Sequence, residues 1–152
     1  MNRVIVKIAC FIVGFTLLSV LNAQKPTLTR DINVQANGGN PAGYCEFRGK
    51  LFFSGTTIKE GTELWVSDGT AVGTKLYSDI LKGTGSSSPK EFVVANDKLF
   101  FTATNGINGV ELWKMDSLNA IPVLVKDIYV GGATSGVSKL TAGLNKLFFC
   151  SY

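Results

Sequence analysis

Histidine is absent from the sequence, and cysteine and proline are scarce: the 152 residues include three cysteines and four prolines. Histidine is the commonest general base and the commonest metal ligand of proteins, so its absence takes most weight from a serine-triad or zinc-hydrolase function. The candidate groups that remain are carboxylates. Because these carboxylates recur at equivalent positions of the repeat described below, we expect no catalytic, cofactor-binding or metal-binding residue and a chain that is not an enzyme, while the question stays open for a longer parent protein.

The few cysteines do not form a disulfide framework. Cys10 lies in the apolar N-terminal segment, and Cys45 and Cys150 are 105 positions apart. The latter two occupy different positions of the repeat described below, which favours buried or incidental thiols. A single bridge between them is the alternative.

The N-terminus has the parts of a secretory signal peptide. Arg3 and Lys7 supply positive charge, residues 8–21 form an apolar run, and Ala23 is a small residue at a suitable cleavage position. The run is shorter than the roughly 20 apolar residues that span a bilayer, although an uncleaved anchor is the alternative. Residues 1–23 are therefore predicted to be a signal peptide of the Sec type. The mature protein is expected to be secreted or at the cell surface, without stable membrane insertion.

The mature chain is nearly balanced in charge. The sequence has 15 basic and 11 acidic residues, of which Arg3 and Lys7 leave with the signal peptide. The remaining lysines and arginines occur singly among acids and are not concentrated on one face. This pattern argues against nucleic acid as a partner.

A repeat of 48 residues runs through the rest of the chain without gaps. Lys-Leu-Phe-Phe occurs at 50–53, 98–101 and 146–149, Glu-Leu-Trp at 63–65 and 111–113, and Asp-Ile at 31–32, 79–80 and 127–128. Residues 44–80 and 92–128 share 13 identities in 37 positions. Unrelated sequences of ordinary composition would share about two or three.

Each unit contains four short stretches rich in aromatic and β-branched residues, which favour strands. In the first unit they are residues 44–47, 51–53, 64–66 and 75–80. Between the first two stretches, Arg48-Gly49, Asn96-Asp97 and Leu144-Asn145 fit two-residue hairpins whose central residues adopt positive φ. Asp68-Gly69-Thr70 fits a turn in which the Asp carboxylate accepts from a backbone amide two residues on.

The fold class follows from the apolar strands. Leu51-Phe52-Phe53 and its copies are apolar at every position, so both faces of these strands must be covered. Tandem four-stranded antiparallel units of this length predict an all-β, β-propeller-like fold, with a β-solenoid as the main alternative. Residues 24–152 supply one leading strand, two full blades and one partial blade, hence an incomplete ring.

The sequence resembles a known repeat family. Residues 61–74, Gly-Thr-Glu-Leu-Trp-Val-Ser-Asp-Gly-Thr-Ala-Val-Gly-Thr, closely resemble the ELWxxDGT repeat. The order of the family continues in Ser78-Asp79-Ile80, Ser86-Ser87-Ser88-Pro89 and Asp97-Lys98-Leu99-Phe100-Phe101, so the resemblance covers essentially all of residues 25–152. It implies a propeller-like fold in secreted or surface proteins of Bacteroidetes-like bacteria, often exported by type IX secretion, and no catalytic residue. Two features depart from the family: Asp116-Ser117-Leu118-Asn119 replaces DGTA, and no C-terminal sorting domain is present.

The carboxylates recur at equivalent positions of the repeat, which favours structural roles, because one active site needs only one constellation. They are Glu63 and Glu111, Asp68 and Asp116, and Asp31, Asp79 and Asp127. We expect Glu63 and Glu111 to pair across strands with Lys50 and Lys98. A calcium site is a minor alternative, since no Asp-x-Asp-x-Asp-Gly loop occurs.

Two further motifs are assigned to structure. The Gly-Thr-Gly-Ser-Ser-Ser segment at 83–88 is predicted to be a loop and not a phosphate cradle, because it lacks the Lys-Ser/Thr ending. Trp65, Trp113 and the Phe pairs are expected in the blade core and not on a sugar-binding platform. Leu147, Phe148 and Phe149 are expected at an exposed edge, where they favour aggregation.

These patterns favour a non-enzymatic extracellular or cell-surface repeat module that acts as a binding or adhesion scaffold. Its expected partners are a protein or glycan ligand and further blades of the same protein, of which this chain would be a fragment. The alternatives are part of an exported propeller enzyme acting on polysaccharide, and a truncated product without function.

Overall fold

The structure is a computed structural model that describes residues 39–152. The predicted signal peptide at 1–23 and the predicted leading strand around Asp31-Ile32 lie outside these residues. Within them the chain is all β, with ten strands in three antiparallel sheets. The described residues contain no helix long and apolar enough to cross a membrane.

Each sheet is a meander in which strands follow chain order. The first contains β1 (Ala42–Phe47), β2 (Lys50–Thr57), β3 (Gly61–Ser67) and β4 (Lys75–Ser78). The second contains β5 (Lys90–Ala95), β6 (Lys98–Thr104), β7 (Val110–Met115) and β8 (Val123–Lys126). The third pairs β9 (Ser138–Gly143) with β10 (Lys146–Cys150). We refer to residues 42–89, 90–137 and 138–152 as the first, second and third unit.

The predicted hairpins are confirmed in all three units. Both central residues have positive φ in each case: Arg48 51° and Gly49 77°, Asn96 47° and Asp97 56°, and Leu144 51° and Asn145 56°. Two successive residues of this kind give a turn whose twist matches that of the flanking strands. The hairpins therefore fix the register of the first two strands of every unit.

The first strand of each unit also carries a bulge that residue type alone does not reveal. The ladder shifts register between Ala42 and Cys45, between Lys90 and Val93, and at the equivalent place in β9. The residues with positive φ there are Gly43 (67°), Glu91 (56°) and Lys139 (57°). Because only the first of these is glycine, the backbone repeats more faithfully than the sequence.

One hydrophobic core joins the first and second sheets. Its most deeply buried side chains, each exposed by 1% or less, are Phe47, Phe52, Leu64, Leu99, Phe101 and Met115. Complete burial of such a side chain contributes about 1.5–3 kcal/mol, so this core stabilises the two units against each other. The expectation that both faces are covered is confirmed for β2 by the burial of Phe52 and Phe53, whereas in β6 Phe101 is buried and Phe100 on the other face is half-buried.

Neighbouring units also contact one another through their first strands and their turns. β1 contacts β5, and β5 contacts β9. Between the first two units, the Arg48 guanidinium lies 2.5 Å from the Asp97 carboxylate, and the Tyr77 hydroxyl donates to the Ala120 carbonyl at 2.7 Å. The three sheets of residues 39–152 form no closed ring.

Candidate functional site

Glu63 is a fully buried acid in the middle of β3, with no exposed side-chain surface. Its carboxylate accepts hydrogen bonds from the Ile80 amide at 2.9 Å and the Leu81 amide at 3.4 Å. It also accepts from the Ser87 amide at 2.8 Å and the Ser87 hydroxyl at 2.5 Å. Burial raises the pKa of Glu63, while these hydrogen bonds act in the opposite direction. The carboxylate therefore holds both ends of the loop between β4 and β5.

The predicted pairing of Glu63 with Lys50 is wrong, and the sheet register explains why. β3 places Glu63 opposite Gly55, five residues along β2 from Lys50. Leu51 lies opposite Ser67, so Lys50 reaches the next residue, Asp68, at 3.2 Å. The second unit repeats this arrangement, with Lys98 Nζ 2.6 Å from Asp116 in place of the predicted Glu111.

The Gly-rich segment at 83–88 is a loop, as predicted. The Ser87 amide and hydroxyl are directed at Glu63, so the chain's own carboxylate occupies the place that an external anion would need. The loop passes close to the start of β3, where a Cβ on Gly61 would lie 1.9 Å from the Gly85 carbonyl oxygen. Gly109 has the same relation to the Ala133 carbonyl oxygen, at 2.2 Å. Glycine is therefore required before both Glu-Leu-Trp strands.

Glu111 is equally buried but less completely bonded than Glu63. Its Oε2 accepts from the Ile128 amide at 3.1 Å, and its Oε1 has no hydrogen-bond partner among residues 39–152. Ser135, the equivalent of Ser87, instead donates from its hydroxyl to the Val110 carbonyl at 3.1 Å. The loop of the second unit is thus attached to the backbone of β7 more than to the carboxylate.

The aspartates that follow β4 and β8 are partly buried. Asp127 Oδ2 accepts from the Asn108 side-chain amide at 2.9 Å and the Gly131 amide at 3.3 Å. The Oδ1 atoms of Asp79 and Asp127 are buried and have no partner within residues 39–152. Asp31 lies outside the described residues. The two aspartates thus occupy equivalent structural positions beside the glutamate loops.

The Asp68-Gly69-Thr70 turn is confirmed. Asp68 Oδ1 accepts from the Thr70 amide at 3.0 Å and the Thr70 hydroxyl at 2.7 Å, and Gly69 has a φ of 86°. The hydrogen bonds from Thr70, followed by that from Lys50, lower the pKa of Asp68 to about 2. A Cβ on Gly73 would lie 1.8 Å from the same carboxylate, which accounts for the second glycine of the motif.

In the second unit the equivalent turn is built differently. Asp116 contacts two lysines, Lys98 at 2.6 Å and Lys114 at 3.1 Å, and these lower its pKa. Ser117 stands where the first unit has Gly69, and the Ser117 carbonyl accepts from the Ala120 amide at 3.2 Å. Lysine contacts therefore replace the hydrogen bonds from Thr70 as the partners of the turn carboxylate.

The tryptophans lie in the sheets and not on a ligand surface, as expected. Trp65 is 6% exposed and Trp113 8%, and the Trp113 indole donates to the Ala103 carbonyl at 3.0 Å. The third unit is different, because Phe148 and Phe149 are 49% and 40% exposed, as predicted for an edge. Leu147 is half-buried.

No cluster of metal-binding side chains is found in the described part of the chain. It holds no group of three or more Asp, Glu, Cys or His side chains arranged to bind a metal ion. Cys45 and Cys150 are both free thiols, and burial is the first cause that raises the pKa of Cys45. A fully buried carboxylate such as Glu63 is out of reach of any substrate. The surfaces open to a partner include the turns, the loops and the free edge of β10.

The bond between Glu63 and Ser87 was not expected from the sequence, although a signal for it exists. Ser87 and Ser135 each follow a Glu-Leu-Trp glutamate by 24 residues and are both fully buried. A serine recurring at constant separation from a buried acid indicates a paired role. In the second unit that pairing is not made.

Comparisons with known proteins find no relative of this chain. No family model matches it, and no curated protein and no solved structure matches it either. The function must therefore be argued from the residues and their geometry.

Proposed function

We propose that this chain is a non-enzymatic, exported repeat module that acts as a binding or adhesion scaffold and forms part of a longer protein. The observation that carries the proposal is the internal use of the repeated acids. Glu63 binds its own loop through Ile80 and Ser87, and Asp68 binds its own turn through Thr70. In the second unit Glu111 also accepts from its own loop through Ile128, and Asp116 pairs with Lys98 of the same unit. Acids with internal partners in both units build a scaffold, and the surface turns are left for recognition.

A β-propeller-like arrangement of the units is part of the proposal. Contacts between β1, β5 and β9 place the first strands of successive sheets side by side, and a common core lies between the first two sheets. The repeat length is within the range of about 40–50 residues for propeller blades. Further blades would complete the ring, since known propellers have about four to eight.

The hairpins that join the second and third strands of the first and second units are the proposed recognition surface. Ile58 on the β2–β3 hairpin is 61% exposed, and Ile107 on the β6–β7 hairpin is 73% exposed. Large apolar side chains at equivalent exposed turns are suited to contact with a protein. A glycan ligand would instead use the polar residues of the same turns.

Export is tested by expressing the full chain in a Gram-negative host and measuring the intact mass of the product outside the cytoplasm. We expect a chain that begins at Gln24. A product retained in the cytoplasm with residues 1–23 attached would contradict export.

Binding is tested with the same exported product, probed against arrays of glycans and against surface proteins of the producing bacterium. We expect saturable binding that the pair Ile58→Ser and Ile107→Ser weakens. Val72→Ser, at an exposed apolar residue of the turn after β3 and outside these hairpins, is the matched control and leaves binding unchanged. Release of reducing ends from any polysaccharide by the purified chain would overturn the non-enzymatic assignment.

A further inference from the structure

β10 has one strand neighbour among the described residues, β9, and its other edge is free. In the first and second units the equivalent strands, β2 and β6, have a second neighbour that contains Glu-Leu-Trp. The consequence is visible in the aromatic pair: Phe148 and Phe149 are 49% and 40% exposed, whereas Phe52 and Phe53 are 0% and 5% exposed. A free strand edge beside exposed aromatic rings is a template for pairing with another chain segment.

The two complete units show which register such a segment takes. Trp65 lies opposite Phe53, and Trp113 lies opposite Phe101. Beyond the end of the ladder a lysine contacts the acid that follows the tryptophan by three residues, as in the pair Lys98 and Asp116 at 2.6 Å. Both the aromatic pair and the ion pair therefore recur at fixed positions.

Lys146 stands at the equivalent of Lys50 and Lys98 and is exposed. No carboxylate within residues 39–152 pairs with it. The third unit thus presents an aromatic pair and an unpaired cation at the positions that the incoming strand contacts in the other two units.

The backbone at this edge already has the conformation of the complete units. The Tyr152 amide donates to the Ser135 carbonyl at 3.2 Å. The Thr104 amide makes the same bond to Ser87 at 3.0 Å, and the Thr56 amide to Gly39 at 2.7 Å. Pairing with β10 therefore requires no rearrangement of the third unit, which favours affinity.

We infer that the free edge of β10 binds an extended segment with the pattern Glu-Leu-Trp-x-x-Asp, supplied by a further repeat unit. The segment runs antiparallel to β10, with its Trp opposite Phe149 and its Asp against Lys146. The inference deepens the proposed function, because it rests on this chain being part of a longer array. Pairing of β10 with the β10 of a second copy is disfavoured, since β10 contains no carboxylate for Lys146.

The test uses the exported full chain and a fluorescent peptide with the sequence of residues 61–70, Gly-Thr-Glu-Leu-Trp-Val-Ser-Asp-Gly-Thr. Fluorescence anisotropy is expected to show saturable binding. The Asp68→Lys peptide is expected to bind about tenfold more weakly, and the Lys146→Glu chain to restore its binding. Lys139→Glu, at another exposed lysine of the third unit, is the matched control, because the equivalent residue of the second unit is Glu91.

The inference is overturned if a peptide with the reversed residue order binds as tightly as the original peptide. It is also overturned if the Lys146→Glu chain binds the Asp68→Lys peptide no better than the natural chain does. Sedimentation of the chain alone measures whether two copies pair. A dimer that prevents peptide binding also overturns the inference. An exported chain that binds its ligand but not the peptide refutes this inference alone. Retention in the cytoplasm refutes the proposed function while leaving peptide binding intact.

Discussion

In the first unit Glu63 accepts hydrogen bonds from Ile80, Leu81 and Ser87, whereas in the second unit Glu111 accepts from Ile128 alone among residues 39–152. The strands around the two acids have the same order and register, and both carboxylates are fully buried. The difference lies in the loops, which have different sequences at 81–86 and 129–134. A repeated acid can thus keep its position and burial while losing most of its partners.

The turns that follow β3 and β7 also differ in how their acid is bound. The turn of the first unit is closed by hydrogen bonds between Asp68 and Thr70, and that of the second by ion pairs of Asp116 with lysines. Hydrogen bonds within a turn are local and insensitive to salt, whereas exposed ion pairs are weak and screened. We therefore expect the first unit to depend on its two acids more strongly than the second.

The largest difference is expected between Glu63→Gln and Glu111→Gln. Gln keeps the size of the side chain but replaces one acceptor oxygen with a donor, which at position 63 faces the amides or hydroxyl that now donate to it. We expect a loss of about 2–4 kcal/mol in the free energy of unfolding for Glu63→Gln. At position 111 the new amide group can take the place of Oε1, which has no hydrogen-bond partner to lose. We therefore expect Glu111→Gln to lower the free energy of unfolding by less than about 1 kcal/mol.

Urea unfolding followed by tryptophan fluorescence measures both values. The two variants are matched controls for each other, because they make the same chemical change at equivalent buried positions. Equal losses of stability would show that the number of hydrogen bonds at the carboxylate does not distinguish the units.

A smaller difference is expected between Ser87→Ala and Ser135→Ala. The Ser87 hydroxyl donates to a buried carboxylate at 2.5 Å, and the Ser135 hydroxyl donates to a backbone carbonyl at 3.1 Å. Hydrogen bonds to charged groups are worth about 1.5–3 kcal/mol and neutral ones about 0.5–1.5 kcal/mol. Urea unfolding should therefore rank Ser87→Ala as the more damaging change, and the opposite ranking would contradict the assignment of Ser87 as the partner of Glu63.

Local features of this fold could be predicted from the sequence. The strands, the hairpins at Arg48-Gly49 and Asn96-Asp97, and the turn at Asp68 all depend on residues that are neighbours in the chain. The exposed edge at Phe148 and Phe149 followed from counting strands. Repetition added weight to each of these predictions, because a feature found in one unit was expected in the next.

Features that depend on register or on loop path could not be predicted. The Lys–Glu pairing failed because register places Gly55 opposite Glu63 and leaves Lys50 beside Asp68. The bond between Ser87 and Glu63 depends on the path of the loop between β4 and β5, and the register shift of β5 near Glu91 shows only in the pairing of β5 with β6. Such contacts join residues far apart in the chain, for which a single sequence carries no distance information.

The pH dependence of stability should separate the two acids of the first unit. The pKa of Glu63 is raised above its ordinary value of 4.5 by burial, so the folded state binds a proton more readily than the unfolded state. The contribution of Glu63 is then fully present below pH 4.5 and is lost as the pH rises through the folded pKa. We therefore expect the stability gap between the natural chain and Glu63→Gln to widen as the pH falls from neutrality toward 4.5.

Asp68→Ala is the control, because the pKa of Asp68 is lowered and its stability gap should change with pH in the opposite direction. The folded pKa of Asp68, about 2, lies below the ordinary value of 3.8. The difference in stability between the natural chain and Asp68→Ala should therefore narrow as the pH falls from 3.8 toward 2. Urea midpoints at each pH measure both trends. A gap for Glu63→Gln that narrows as the pH falls from neutrality toward 4.5 would show that hydrogen bonding outweighs burial at that carboxylate.

The smallest effect is expected from Asp116→Ala, and its salt dependence distinguishes it from Asp68→Ala. Asp116 is held by Lys98 and Lys114, which are ion pairs at the surface, whereas Asp68 also accepts from the Thr70 amide. At about 1 M salt the Debye length falls to about 3 Å, and exposed ion pairs contribute little. The destabilisation by Asp116→Ala should therefore vanish between low and high salt, while that by Asp68→Ala persists because its hydrogen bonds to Thr70 are not screened. Thermal unfolding at the two salt concentrations measures this, and a salt-independent loss for Asp116→Ala would mean that its turn is closed by something other than the lysines.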